Sequence, residues 1–172
     1  MTGWPTWAVA VIAWVVTARL VELVHARRNT RRLLAEGGEE HYPGHYPLFF
    51  LLHGGWIVAI AVFARPPAVP ELPLAVLFAL SQLARFWVFV TLGRWWTTRI
   101  ISAPHFPRIA HGPYRFIRHP NYAVVVTEIA ILPLLLGAPW VALVFSVLNA
   151  MLLTLRIRLE NRVLTRRGTS AG

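Results

Sequence analysis

Residues 120–155, PNYAVVVTEIAILPLLLGAPWVALVFSVLNAMLLTL, are the stretch that decides the fold. They contain one charged side chain, Glu128, and one interruption, Gly137-Ala138-Pro139. The two halves, about 121–136 and 140–155, each approach the roughly 20 apolar residues that about 30 Å of hydrocarbon requires. Because glycine and proline end helices, we expect two membrane-spanning helices joined by a tight turn.

Outside this hairpin the sequence contains further long apolar runs, at about 4–24, 47–64 and 72–92. The hydrophobic fraction of 56% exceeds the roughly 45–50% of a soluble domain, and the mean hydropathy is +0.54. A length of 172 residues fits one domain. We therefore predict an all-α, polytopic membrane protein with about five transmembrane helices in one domain, residues 1–172.

The net charge of +10 comes wholly from arginine, since the chain has no lysine. Such a charge can indicate nucleic-acid binding, but here the arginines cluster at the ends of apolar runs, as the positive-inside rule describes. Arginine-rich connections follow the first, third and fifth spans: Arg27, Arg28, Arg31 and Arg32; Arg94, Arg99, Arg108, Arg115 and Arg118; Arg156, Arg158, Arg162, Arg166 and Arg167. We predict an inner-membrane protein with its N-terminus outside and its C-terminus in the cytoplasm, without a nucleic-acid partner.

The segment His111–Tyr122, HGPYRFIRHPNY, precedes the hairpin and concentrates polar and aromatic side chains. Pro120 suits the first turn of a helix, so its free N–H groups and positive dipole end would favour an anion here. Arginines can hold a carboxylate or phosphate, histidines can donate hydrogen bonds, and aromatic rings can cover a purine. The candidate cofactor residues in this segment are His111, Gly112, Tyr114, Arg118, His119, Pro120 and Tyr122. An anchor on anionic lipid is the simpler alternative.

The end of the fifth span supplies a second candidate set. Arg156 and Glu160 stand four residues apart on a continuing helix and therefore share a face. Because the hairpin returns this end beside His111–Tyr122, Glu160 could contact amino or ribose groups of a cofactor that Arg118 holds by its carboxylate. We expect a cytoplasmic cofactor pocket within about residues 94–167. We expect no metal site: without cysteine there is no thiolate ligand, and Pro43 and Gly44 argue against a helix that would pair His41 with His45.

Charged residues inside the spans are costly and often functional. Glu128 lies about 12 Å along its helix from Pro120, and Arg85 lies in the third span. We take both as candidates that act on the substrate, the alternatives being an ion pair between them or a snorkelling arginine. Arg19 and Glu22 have the spacing of a structural ion pair. His53 and Asn149 are typical of interhelical hydrogen-bond partners.

Several of these residues resemble the motifs of the isoprenylcysteine carboxyl methyltransferase family of integral membrane enzymes. The similarity lies in Gly112-Pro113-Tyr114-Arg115, Arg118-His119-Pro120-Asn121-Tyr122, the hairpin and Arg156-Ile157-Arg158-Leu159-Glu160. It implies S-adenosylmethionine at the cytoplasmic face, held by Tyr114, Arg118, His119, Tyr122 and Glu160, and a lipophilic substrate that enters from the bilayer. Leu92-Gly93-Arg94-Trp95-Trp96-Thr97 and Val126-Thr127-Glu128 look like a short bacterial branch that includes methyltransferases of long-chain alkylpyrones.

The sequence thus predicts an S-adenosylmethionine-dependent O-methyltransferase, with two alternatives of other kinds. The step His119-Pro120-Asn121-Tyr122 also resembles membrane NADPH-dependent reductases of the sterol-reductase type. The basic loops alone would be adequate for a non-catalytic membrane scaffold.

Overall fold

The computed structural model describes residues 3–169, with side chains up to Val163 except that of His45. Arg166 and Arg167 therefore lie outside the described side chains. Five long helices follow one another, together with short 3₁₀ turns and two short strands. Their bounds are α1, Thr6–Ala35; β1, Glu39–His41; α2, Tyr46–Phe63; α3, Leu72–Leu92; β2, Ile100–Ser102; α4, Pro120–Leu135; and α5, Pro139–Thr169.

The helices confirm the prediction of an all-α polytopic membrane protein. Within the described residues, α1, α2, α3 and α5 are each long and apolar enough to cross a bilayer, and α4 is a shorter apolar helix of 16 residues. Two helices run beyond their predicted spans: α1 reaches Ala35, and α5 reaches Thr169, which includes the helical continuation expected through Glu160. The extension of α1 is polar, but neither glycine nor proline interrupts it before Gly37.

The shortest helix, α4, occupies the interior of the bundle. It packs against α3 on one side and α5 on the other. Its side chains Ile129 and Leu132 are almost completely buried, and α2 contributes the fully buried Ile60 to the same core. Large apolar side chains on the outer helices, such as Phe86 of α3, are exposed and would face lipid tails. Because neighbouring helices enclose α4, its length need not match the bilayer.

A glycine turn joins α4 to α5. Gly137 has φ +69°, its N–H bonds the carbonyl of Leu134, and the next N–H, of Ala138, bonds the carbonyl of Pro133. These are the two hydrogen bonds of a Schellman motif, which uses left-handed glycine to end a helix. The backbone of Arg65 packs directly on Gly137, and its N–H bonds the carbonyl of Leu136. The predicted hairpin is thus present, and the end of α2 is fixed against its turn.

A small sheet, which the sequence analysis did not predict, lies at the opposite end of the bundle. β1 and β2 pair antiparallel, with Glu39 opposite Ser102 and His41 opposite Ile100. Each strand has three residues, too few for a period-two pattern to be visible in sequence. The sheet ties the segment after α1 to the long connection between α3 and α4.

We predict that Gly137→Ala destabilises the protein. A left-handed backbone costs a non-glycine residue about 1–2 kcal/mol, and an added Cβ would lie 2.3 Å from the Arg65 carbonyl oxygen. Thermal unfolding in detergent should show a midpoint several degrees lower than that of the wild type. Gly54→Ala is the matched control, because nothing lies within 4 Å of the Cβ it would add. Equal midpoints for the two variants would contradict this account of the turn.

Candidate active site

The hairpin brings the first turn of α4 against the far end of α5. The Tyr122 hydroxyl donates a hydrogen bond to the Glu160 carboxylate and accepts one from Nε of Arg156, at 2.9 Å. A second guanidinium nitrogen of Arg156 donates to the carbonyl of Thr98, also at 2.9 Å. The two sequence motifs therefore meet, and Arg156 links them to the long connection before α4.

His119 caps the start of α4, which begins at Pro120 as predicted. Its ring stacks on that of Tyr122, with centroids 5.2 Å apart and planes 16° from parallel. Nδ1 of His119 lies 3.9 Å from Oε2 of Glu160. Nε2 of His119 and Oδ1 of Asn121 are buried without a hydrogen-bond partner. Because buried polar atoms are normally paired, these two atoms indicate a binding site.

The segment before His119 is folded closely onto α3. Gly112 has φ +57°, and an added Cβ would lie 2.6 Å from Oγ1 of Thr91, so only glycine fits here. Tyr114, in the 3₁₀ turn Gly112–Arg115, packs against the cluster of Val88 and Trp96. Burial, assisted by the negative charge of Glu160, raises the pKa of the Tyr114 hydroxyl well above its usual range. This hydroxyl therefore remains a hydrogen-bond donor at physiological pH.

These residues surround a pocket of about 820 Å³. Among the described residues, the pocket is lined by Leu92, Trp95, Thr97, Arg99, Ile100, Ile101, Pro107, Arg108, Ile109, Tyr114, Arg118, His119, Asn121, Tyr122, Arg156, Glu160 and Asn161. Four arginines face a single acidic residue, Glu160, so the pocket favours an anionic group. Arg118 is exposed and forms no ion pair or hydrogen bond with the described residues, which leaves its guanidinium available to a ligand.

Six of the predicted cofactor residues line this pocket: Tyr114, Arg118, His119, Tyr122, Arg156 and Glu160. His111, Gly112 and Pro120 do not. Gly112 and Pro120 instead shape the backbone, as the close approach to Thr91 and the first turn of α4 show. The sequence analysis missed Asn121, Asn161 and the side of the pocket formed by β2 and its flanks.

Arg99, one of the missed lining residues, connects the pocket to two other elements. Its guanidinium lies 2.7 Å from the Glu40 carboxylate on β1 and over the ring of Tyr46 at 5.1 Å. In the sequence, Arg99 is marked only by its position in a basic connection. Its partner Glu40 is 59 residues away, so the spacing of the two residues does not indicate the pair. The contact with Tyr46 brings the start of α2 to the pocket wall.

The two residues predicted to act on the substrate, Arg85 and Glu128, lie outside the pocket lining. They pair with each other at 2.9 Å, within a network that joins α1, α3 and α4. Arg85 also bonds Glu22 at 2.6 Å, and Arg19 bridges Glu22 and Glu128 at 2.8 and 3.2 Å. Gln82 donates a further hydrogen bond to Glu128 at 2.7 Å. Two arginines and two glutamates balance, so the network is neutral and each charge has a partner.

We predict that Glu128→Leu destabilises the protein strongly. The substitution leaves Arg19 and Arg85 with only one carboxylate, and breaking a buried ion pair costs about 3–5 kcal/mol. The thermal unfolding midpoint in detergent should fall well below that of the control Glu36→Leu. Glu36 pairs with Arg94 at an exposed position, where such pairs contribute at most about 1 kcal/mol. A similar fall for both variants would show that the network adds nothing beyond a surface pair.

Known proteins are similar to this chain over most of its length and not only in the motifs. The chain is 34% identical over 158 residues to the uncharacterized protein YpbQ of Bacillus subtilis, which covers 90% of this chain and 94% of that protein. It is 25% identical to an uncharacterized protein of Haemophilus influenzae, over 89% of this chain and 92% of the other. No solved structure matches significantly. Residues 74–166, which contain α4, most of α5 and every lining residue of the pocket, match the model of the isoprenylcysteine carboxyl methyltransferase family. The chain therefore belongs to the isoprenylcysteine carboxyl methyltransferase family of integral membrane proteins.

Proposed function

We propose that this protein is an S-adenosylmethionine-dependent O-methyltransferase that acts on a lipophilic substrate dissolved in the bilayer. The observation that carries the proposal is the meeting of Tyr122 and Glu160 across the hairpin, in a pocket that also holds the unpaired Arg118. The acceptor atom would be an oxygen, of either a carboxyl group or an enolic hydroxyl.

The chemical groups of S-adenosylmethionine have counterparts in the pocket. The guanidinium of Arg118 suits the carboxylate of the methionine portion, since arginine binds carboxylates through two parallel hydrogen bonds. Glu160 suits the ammonium group or the ribose hydroxyls. The stacked rings of His119 and Tyr122 offer a face to adenine. The unpartnered Nε2 of His119 and Oδ1 of Asn121 supply hydrogen bonds to the polar edges of the ligand. The pocket thus fits this cofactor.

The cofactor, when bound, supplies an electrophilic methyl group. The part of the protein is to hold donor and acceptor at near-attack distance and to exclude water. Arg156 would fix Tyr122 and Glu160 in place through its bonds to Tyr122 and to Thr98. Arg85 and Glu128 would keep the pocket open or orient the acceptor from within the membrane, by linking α3 to α4.

The acceptor would reach this site from the bilayer. We place the pocket at the cytoplasmic face, because the arginine-rich connections lie at the same end of the bundle as the pocket. The isoprenylcysteine-like and alkylpyrone classes both combine a long apolar chain with an acidic oxygen, as such a route requires. The donor would then come from the aqueous side of the pocket and the acceptor from the lipid side.

We predict that Arg118→Ala and Glu160→Ala each abolish binding of S-adenosylmethionine, while the protein still inserts and folds. Each removes one charged partner of the ligand, and the affinity should fall at least about 100-fold, because hydrogen bonds to charged groups contribute about 1.5–3 kcal/mol each. Isothermal titration calorimetry of the detergent-purified protein measures the change directly. Arg158→Ala is the matched control, because Arg158 is exposed and outside the pocket lining.

The same calorimetry separates the alternatives. Unchanged affinity in Arg118→Ala and Glu160→Ala would overturn the assignment of the site. Binding of NADPH in place of S-adenosylmethionine would identify a reductase, and binding of neither would favour a scaffold.

The proposed orientation predicts opposite labelling of two introduced thiols. The chain has no cysteine, so Ala110→Cys and Ala68→Cys each create a single reporter, and both positions are exposed. In intact cells, a membrane-impermeant maleimide should label the Ala68→Cys variant, whose thiol lies in the connection between α2 and α3, and not the Ala110→Cys variant. The Ala110 variant, between β2 and α4, should react only after permeabilisation. The reverse pattern would place the pocket on the outer side.

A further inference from the structure

Polar side chains continue from the pocket into the membrane between α2 and α5. Arg156 of α5 lies over the ring of Phe49 of α2, 5.3 Å from its centroid, and the two helices pack against each other. From this contact, Trp56 is seven residues along α2 and Asn149 is seven residues back along α5. Seven residues make about two turns, so Trp56 shares a face of α2 with Phe49, and Asn149 shares a face of α5 with Arg156.

Both of these deep polar groups lack partners. The indole Nε1 of Trp56 and the amide Oδ1 of Asn149 are buried without a hydrogen bond. The residues are only 4% and 1% exposed. A buried donor and a buried acceptor without partners are unusual in a protein interior, and they indicate that a polar ligand or water bonds them.

His53 lies on α2 between the pocket and these two groups, and one of its nitrogens is committed. Nδ1 contacts the Phe49 carbonyl oxygen at 2.8 Å. A carbonyl can only accept, so Nδ1 carries the hydrogen, and in the neutral ring Nε2 holds the lone pair. Nε2 has no hydrogen-bond partner among the described residues. The sequence predicted a hydrogen bond from His53 to another helix. Among the described residues, His53 instead bonds the Phe49 carbonyl within α2.

The surroundings of His53 connect it to both charged sites of the molecule. The charged groups whose electrostatic influence reaches it are Arg19 of α1, Glu128 of α4 and Arg156 of α5. Arg156 belongs to the pocket, whereas Arg19 and Glu128 belong to the intramembrane network. His53 does not line the pocket itself, but it lies within electrostatic range of one pocket residue and of two residues of the network.

We propose that His53 is a catalytic residue whose Nε2 binds the hydroxyl of the methyl acceptor and takes its proton. This inference rests on the proposed methyltransferase function and specifies its substrate. A free lone pair recognises an acceptor that still carries its proton, which selects the hydroxyl alternative of the proposed function, an enolic or phenolic O–H, over a carboxylate. Trp56 Nε1 and Asn149 Oδ1 would bind a second polar group of the same molecule.

The proton and electron balance of the step is complete. The acceptor O–H bond breaks, its proton moves to Nε2 of His53, and the oxygen forms a bond to the methyl carbon. The pair of electrons from the broken sulfur–carbon bond remains on the donor sulfur, which becomes a neutral thioether. The imidazolium then returns its proton to water through the pocket.

The decisive variant is His53→Gln, which places an amide where Nε2 stands and therefore cannot take a proton. The probes are para-dodecylphenol, its methyl ether and tridecanoic acid, presented to the full-length protein in lipid nanodiscs. His105→Gln is the matched control, since His105 is an exposed histidine outside the pocket. Three quantities are measured for each protein: affinity for S-adenosylmethionine, the rate of methyl transfer against pH, and the ¹⁵N chemical shift of the histidine Nε2 without cofactor.

We expect para-dodecylphenol, but not its ether, to shift the His53 Nε2 resonance of the wild type. General-base catalysis is worth about 10²–10⁴-fold, so His53→Gln should methylate the phenol at least about 100-fold more slowly near neutral pH. The deficit should shrink as the pH approaches the pKa of the phenol, and cofactor affinity and the His105→Gln control should stay unchanged.

Other results overturn the inference in distinguishable ways. Equal rates for wild type and His53→Gln at every pH, or no resonance shift with the phenol, would exclude this role for His53. Methylation of tridecanoic acid alone would do the same while leaving the methyltransferase proposal intact. A wild type that does not bind S-adenosylmethionine would remove both.

Discussion

The structure depends on the turn at Gly137. Left-handed glycine ends α4, and α5 starts two residues later, so the two helices must run antiparallel and in contact. From the turn, α4 extends about 24 Å and the described part of α5 further, at about 1.5 Å per residue. The end of α5 therefore projects past Pro120. This overhang supplies the wall on which Glu160 and Arg156 meet Tyr122, and a longer or looser turn would separate them.

The arginines of the intramembrane network and Arg118 of the pocket differ in their electrostatic state. In the membrane, Arg19 and Arg85 are matched by Glu22 and Glu128, because an unpaired charge in hydrocarbon would cost several kcal/mol. At the pocket, Arg118 has no acidic partner among the described residues. The first set holds three helices together without a net field, and the second leaves a positive field at the mouth of the pocket. The electrostatic attraction for a water-soluble anion is thus located at the mouth of the pocket.

Much of this arrangement was predictable because its determinants are local. The hairpin follows from one glycine and one proline, the start of α4 from Pro120, and the pair Arg19–Glu22 from helical spacing. The return of Glu160 to the motif then follows from the hairpin alone. Contacts between distant segments were not predictable. Pairing of β1 with β2, and of Arg99 with Glu40, joins short segments about 60 residues apart whose sequences carry no register signal.

Arg156 is the point where the polar and lipid sides of the site meet. Its guanidinium bonds the Tyr122 hydroxyl, covers the ring of Phe49 and reaches the Thr98 carbonyl, so one side chain touches α2, α4 and the connection before α4. Any movement of α2 that admits a bulky acceptor beside His53 must therefore act on Arg156, and through Tyr122 on Glu160. In the proposed function, a cofactor in the pocket and an acceptor beside His53 would both lie next to groups that Arg156 holds, so their binding equilibria would be linked through this side chain.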